Sequence, residues 1–129
     1  MSQMGQMPLP PPSVFGFYTP LYRAPQAGGL FGPEFQIYSP TEAVLRGNLF
    51  WQVIASPGAN FATDLTPFTT TTALVDLIDR IDQTLLYGRM PQAMRQSLAN
   101  VMAAQSTPAE RAQIGIYLTA LSGLYAVQH

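Results

Sequence analysis

Apolar residues in the second half of the chain recur three and four positions apart, the spacing that places side chains on one face of an α-helix. Each run of this kind predicts a helix. The runs comprise Leu74, Leu77, Ile78, Ile81 and Leu85, then Met94, Leu98, Val101 and Met102, then Ile114, Tyr117, Leu118, Leu121 and Tyr125. Because the connections between them are short, we expect consecutive helices to pack roughly antiparallel.

The ends of these helices are marked by residues that start or stop helical geometry. Gly88 follows the first run, in the position expected of a left-handed cap. The second helix is expected to begin around Pro91. The third begins at Thr107-Pro108-Ala109-Glu110, a capping box with proline in the first turn, where a missing N–H costs nothing.

A further helix is predicted in the first half of the chain. Ser39-Pro40-Thr41-Glu42 is another capping box, and Ser56-Pro57-Gly58 ends the helix. Gly47 weakens the middle, which indicates a close helix contact there. The apolar positions between these ends are Val44, Leu45, Leu49, Phe50 and Val53.

Residues 1–38 have no such periodicity and are rich in proline and aromatic side chains. The run Pro10-Pro11-Pro12 favours polyproline-II geometry. A segment this apolar is unsuited to be a solvated tail, so we expect it to lie as an extended arm across other protein surface. The sequence therefore predicts a mainly α fold, in which a small bundle of about four helices at residues 39–129 is wrapped by this arm as one compact domain.

Composition narrows the possible partners. Charged residues make up 10% of the chain, against about 25% in an average soluble domain. The net charge of −1 gives no electrostatic reason to expect nucleic acid or an anionic membrane. Without cysteine, disulfides and thiolate metal sites are excluded. No signal peptide is recognisable, and no run of about 18 apolar residues predicts a membrane span.

Several short sequence motifs are similar to the C-terminal third of the domain-of-unknown-function 1800 family. In the first half these are Met4-Gly5-Gln6, Pro11-Pro12-Ser13-Val14-Phe15-Gly16-Phe17-Tyr18 and Pro33-Glu34-Phe35-Gln36-Ile37. In the second half they are Val75-Asp76-Leu77-Ile78-Asp79, Leu85-Leu86-Tyr87-Gly88-Arg89-Met90 and Ile116-Tyr117-Leu118-Thr119-Ala120-Leu121-Ser122.

The resemblance covers nearly the whole chain but implies no reaction. The family consists of longer bacterial proteins, typically exported, with no agreed activity, so it suggests a periplasmic or secreted location and carries over no catalytic residues. This chain lacks what precedes the Met-Gly-Gln word in the family. It also reads Ser122-Gly123-Leu124-Tyr125 where members usually have a Ser-Pro-Glu-like word.

Catalytic constellations are sparse. The single histidine is the last residue, His129, where fraying opposes a fixed geometry for nucleophile activation. Asp76, Asp79 and Asp82 lie three apart on one side of a helix and could hold a hard cation, although a solvated face beside Arg80 is the favoured interpretation. Glu34, in an almost chargeless stretch, is expected to form a structural ion pair.

The candidate partners of Glu34 are Arg23 and Arg46, because a buried carboxylate needs a cation.

Two further candidate sites are a metal site and an aromatic binding surface. The thioethers of Met1, Met4 and Met7 are evenly spaced and form a weak candidate site for Cu(I). Most aromatics are expected to be core. The candidate residues for binding a peptide or a glycan are Tyr18, Tyr22, Phe31 and Trp51, and all of these except Phe31 are the aromatics most expected to be exposed.

These observations favour a non-catalytic binding or assembly module that needs no cofactor and acts through a protein partner or self-association. One alternative is a fragment of a larger exported enzyme acting on polysaccharide or cell-wall material. In that case Glu34, Asp64 or the Asp76 face would converge on a cleft. A second alternative is a copper-binding segment at the methionines.

Overall fold

The protein is mainly α-helical. The computed structural model describes residues 18–23, 31–32, 36–37, 39–56, 58, 63–70 and 73–126. Its helices are α1 (Pro40–Ala55), α2 (Thr66–Thr69), α3 (Leu74–Ile81), α4 (Gln92–Ala103), α5 (Pro108–Leu121) and α6 (Gly123–Ala126), with a π-helical turn at Asp82–Leu86 continuing α3. Four helices are seven residues or longer and the described residues contain no strand, which confirms the predicted fold class.

The chain divides into two compact units between Leu49 and Phe50, inside α1. In the first unit, the Tyr22 N–H donates to the Thr19 carbonyl over 3.0 Å and closes a turn. Arg23 and Phe31 form an isolated antiparallel bridge. Residues 1–17 of the predicted arm lie outside the described residues.

Both predicted capping boxes lie at helix starts. At α5, the Thr107 hydroxyl accepts the Glu110 N–H (3.2 Å), and the Glu110 carboxylate accepts the Thr107 N–H (2.9 Å). At α1, the Ser39 hydroxyl donates directly to the Glu42 carboxylate. The Thr107–Glu110 pair thereby satisfies backbone donors that have no helical partner, whereas Ser39 and Glu42 bond each other through their side chains.

The core of the second unit lies between α3, α4 and α5, and Ile54 of α1 is also buried in it. Ile81 and Met102 are completely buried and meet opposite Gly115 of α5. A Cβ at Gly115 would lie 2.8 Å from Ile81 Cδ1 and 2.9 Å from Met102 Sδ, so the missing side chain is what allows this close approach.

The buried face of α5 differs from the prediction. The expected run of large residues is half-buried at Ile114, Tyr117 and Leu118, and exposed at Leu121 and Tyr125. The buried face instead uses smaller residues at helical spacing: Ala112, Gly115, Ile116, Thr119 and Ala120. Small side chains let α5 approach α3 and α4 closely. A search for large apolar residues at helical spacing does not detect a buried face of this kind. Val44 and Val101, also expected inside, are exposed.

The end of α3 departs from regular helix. In the π-helical turn the Tyr87 N–H bonds to the carbonyl of Asp82, five residues earlier. The extra residue places Leu86 in the core where the 3.6-residue period predicts Leu85, which is half-buried. Gly88 has the predicted positive φ of 77°, but Tyr87 before it is also left-handed, with φ 55°.

Candidate interaction surface

Aromatic side chains of the second unit pair where the end of α1 meets α5 and α6. The Trp51 and Tyr117 rings make an edge contact with centroids 5.1 Å apart and planes at 70°. Phe50 and Tyr125 make a looser one at 6.4 Å and 75°. Edge-to-face geometry sets the positive ring edge against the negative ring face, so each pair holds its rings in a defined orientation.

These pairs remain open to solvent. Trp51 is 44% exposed although it contacts Tyr117, and Tyr125 is 36% exposed. Leu121, also 36% exposed, follows Tyr117 by one helical turn and so shares its face of α5. We call Phe50, Trp51, Tyr117, Leu121 and Tyr125 the aromatic surface.

A break between α5 and α6 places Tyr125 at this surface. Ser122 leaves helical geometry with ψ at 149°, and its hydroxyl donates to the Thr119 carbonyl over 2.7 Å. The same hydroxyl accepts the Tyr125 N–H at 3.3 Å, which caps the short α6. Ser122 therefore ends one helix and starts the next.

The chain around the aromatic surface carries no charge. Residues 47–63, which include the second half of α1, contain no Asp, Glu, Lys or Arg, and neither do residues 112–128. The surface has no side-chain charge on its own segments with which to attract or reject an ionic partner. Its recognition chemistry is apolar contact and aromatic stacking.

In contrast to the uncharged aromatic surface, α3 and α4 carry an ion-pair network that is partly exposed and partly buried. Arg95 of α4 reaches back to α3 and bonds Asp79 through Nη1 and Asp82 through Nη2. The Asp79 side chain is 53% exposed, whereas Asp82 is completely buried. The hydrogen bonds that Arg95 donates to Asp79, and then to Asp82, raise the pKa of its guanidinium above its ordinary value.

This network corrects the expected solvated aspartate face at Asp82 alone, which is completely buried and paired with Arg95. Asp76 and Asp79 are exposed as expected, and the neighbouring Arg80 donates to the Pro67 carbonyl. The second carboxylate oxygen of Asp82, Oδ1, accepts the buried Met90 N–H at 2.9 Å. Across the described ranges, no group of three His, Cys, Asp or Glu side chains is arranged to hold a metal ion.

The predicted binding residues fall in both units. Tyr18 and Tyr22, in the first unit, are half-buried. Phe31, also there, is exposed, and the Arg23 guanidinium lies over its ring with Cζ 4.9 Å from the centroid. Trp51 lies in the second unit, within the aromatic surface. Trp51 pairs there with Tyr117, and Phe50 pairs with Tyr125; helical spacing alone predicts both tyrosines to be core.

Several other candidates have no described environment. Met1, Met4, Met7, Glu34 and His129 lie outside the described residues, so the copper and ion-pair hypotheses stay predictions. Arg46, the second expected partner of Glu34, is half-buried in α1.

Asp64, a residue of the enzyme hypothesis, has a local structural role. Its Oδ1 accepts the Thr66 N–H at 2.9 Å just before α2. The hydrogen bonds from the Thr66 side chain and backbone lower the pKa of this exposed carboxyl below its ordinary value. Asp76, from the same hypothesis, is exposed on α3.

Comparison with known proteins adds no relative: no family model, no curated protein and no solved structure matches this chain. The resemblance to the domain-of-unknown-function 1800 family therefore stays a prediction from short sequence words. Among the described helices, none is long and apolar enough to cross a membrane.

Proposed function

We propose that this chain is a non-catalytic assembly module, and that it associates with a second copy of itself through the aromatic surface. The observation that carries the proposal is an indole held edge-on to a tyrosine yet 44% exposed, on segments that carry no charge. Tryptophan and tyrosine are the residues that most often dominate binding energy when an interface covers them.

The absence of charge from these segments favours a second copy as the partner. In a two-fold contact the same surface meets itself, so any charge near the axis faces a like charge. A neutral aromatic surface meets its copy without that repulsion, and each copy supplies the apolar area that the other needs. An acidic or basic partner would find no counter-charge on these segments.

The single tryptophan makes the proposal measurable by fluorescence. Burial of Trp51 against a second copy should shift its emission to shorter wavelength as protein concentration rises. Leu121→Arg adds a charge to the aromatic surface and should abolish this dependence. Val101→Arg is the matched control, because Val101 of α4 is 40% exposed, against 36% for Leu121, but lies outside the aromatic surface.

The control variant should keep the wild-type concentration dependence. Emission that stays constant across the concentration series would contradict the proposal. So would an equal response of the two arginine variants, because the association would then not depend on the aromatic surface.

A further inference from the structure

The turn at residues 87–89 presents a side chain that the fold does not use. Tyr87 is 79% exposed, the largest exposed fraction among the described large apolar side chains. It is also left-handed, with φ 55° and ψ 37°. Residues with a Cβ adopt this conformation only at a cost in energy, and glycine adopts it freely. The fold thus carries an exposed ring at a position that glycine would fill with less strain.

The buried residue Asp82 fixes the backbone of this turn through hydrogen bonds. The Asp82 carbonyl accepts the N–H groups of Tyr87 and Gly88, the latter at 3.2 Å. The Asp82 carboxylate accepts the Met90 N–H at 2.9 Å, and Arg95 fixes its second oxygen. The Arg89 N–H donates to the Leu86 carbonyl at 3.1 Å. The backbone is therefore ordered before any partner arrives, which lowers the entropy lost on binding.

Arg89 adds a cation that a hydrogen bond tethers to the turn. Its Nε donates to the Leu86 carbonyl at 3.3 Å, and the residue is exposed. In the part of the chain that the structure describes, no carboxylate forms an ion pair with it. A guanidinium tethered through Nε still has its two terminal nitrogens for a carboxylate, which it can bind through both oxygens.

We propose that the 87–89 turn is a recognition site for a peptide segment in which an acidic side chain lies beside an apolar one, with Arg89 binding the carboxylate and the Tyr87 ring packing on the apolar neighbour. The site is separate from the aromatic surface and does not depend on self-association. The acid is a side chain and not a chain terminus, because terminal carboxylates are captured by free backbone N–H groups. All N–H groups of residues 87–90 are already bonded.

The test is a titration of the labelled protein followed by the NMR shifts of its backbone amides. The probe is the capped tripeptide acetyl-Leu-Glu-Leu-amide, and acetyl-Leu-Gln-Leu-amide is the uncharged control. We expect saturable shifts at residues 86–90 and an apparent affinity about tenfold lower for the Gln peptide. Equal affinities, or shifts that do not saturate, would overturn the proposal.

Two variants separate recognition from folding. Arg89→Gln should abolish the shifts, whereas Arg111→Gln should keep them; Arg111 is also tethered through Nε to a carbonyl, that of Gln105, at 3.1 Å. Tyr87→Gly should weaken binding while raising the melting temperature. Loss of binding in both arginine variants, or a lower melting temperature for Tyr87→Gly, would contradict the assignment.

Discussion

The Asp79–Arg95–Asp82 network allows a sharp test of how burial determines the contribution of an ion pair. Asp79 and Asp82 lie three residues apart and bond the same guanidinium in the same way. They differ in exposure, at 53% for the Asp79 side chain and 0% for Asp82. Replacing each in turn with asparagine preserves size and removes one charge. The difference between the two variants therefore reports the effect of burial.

The expected cost is small for Asp79→Asn and large for Asp82→Asn. An exposed ion pair contributes roughly 0.2–1 kcal/mol, because water screens it. In Asp82→Asn the amide oxygen can still accept the Met90 N–H, which turns the new NH₂ group toward the Arg95 guanidinium. A charge-assisted bond worth about 1.5–3 kcal/mol is lost, and a buried donor without an acceptor costs about 1–3 kcal/mol. Since these effects overlap, we expect about 2–4 kcal/mol in total.

The assay is urea unfolding followed by far-ultraviolet circular dichroism and by Trp51 fluorescence. Coincidence of the two signals checks that unfolding is two-state, and an unchanged m-value ties a shift in midpoint to stability. A chain of 129 residues should shift by roughly 4 °C per kcal/mol, so the two variants should differ in melting temperature by on the order of 10 °C. Equal losses in the two variants would refute the reasoning.

The remaining predictions concern packing and pH. Gly115→Val places two methyl groups against Ile81 and Met102 and should cost about 1–3 kcal/mol or more by overpacking. Gly123→Ala, with nothing within 4 Å of the new Cβ, should be neutral or stabilising in thermal unfolding. Hydrogen bonds from Thr107 lower the pKa of Glu110 below its ordinary value of 4.5. The stability that these bonds confer is present above pH 4.5 and is lost as the pH falls below that value. Glu110→Gln should therefore lose less stability on acidification than the wild type. An identical loss of stability at low pH in both proteins would contradict this.

Local signals in the sequence predicted much of the helical framework. The Thr107 and Ser39 motifs mark helix starts because a side-chain oxygen three residues before a glutamate can satisfy orphan N–H groups, as the Thr107–Glu110 pair does. Gly88 marks the end of the α3 segment through another local effect, because glycine adopts left-handed geometry at little cost in energy. Such signals need only neighbouring residues, so they can be read without the fold.

Packing partners distant in the sequence could not be predicted in this way. Arg95 lies 13 residues from Asp82, and nothing local shows that α4 brings them together. The π-helical turn places Leu86 in the core, whereas the regular 3.6-residue spacing of the sequence predicts Leu85 there. By local propensity glycine only weakens a helix, whereas in the fold the missing side chain of Gly115 is what lets α5 approach Ile81 and Met102.

The aromatic surface was predicted only in part. Trp51 was identified because a large amphipathic ring in a chain with few charges suggests recognition. Tyr117 and Tyr125 were assigned to the core because helical spacing cannot distinguish a buried face from an exposed apolar one. Their roles depend on the break at Ser122, whose signal, a serine followed by glycine, is common in loops and turns.

The solution mass of the purified chain, measured by light scattering across a concentration series, tests the central claim most directly. The account predicts a rise from the monomer mass of 14.1 kDa to twice that value, and no rise for Leu121→Arg. A wild-type chain that stays at 14.1 kDa throughout the series would contradict self-association through the aromatic surface.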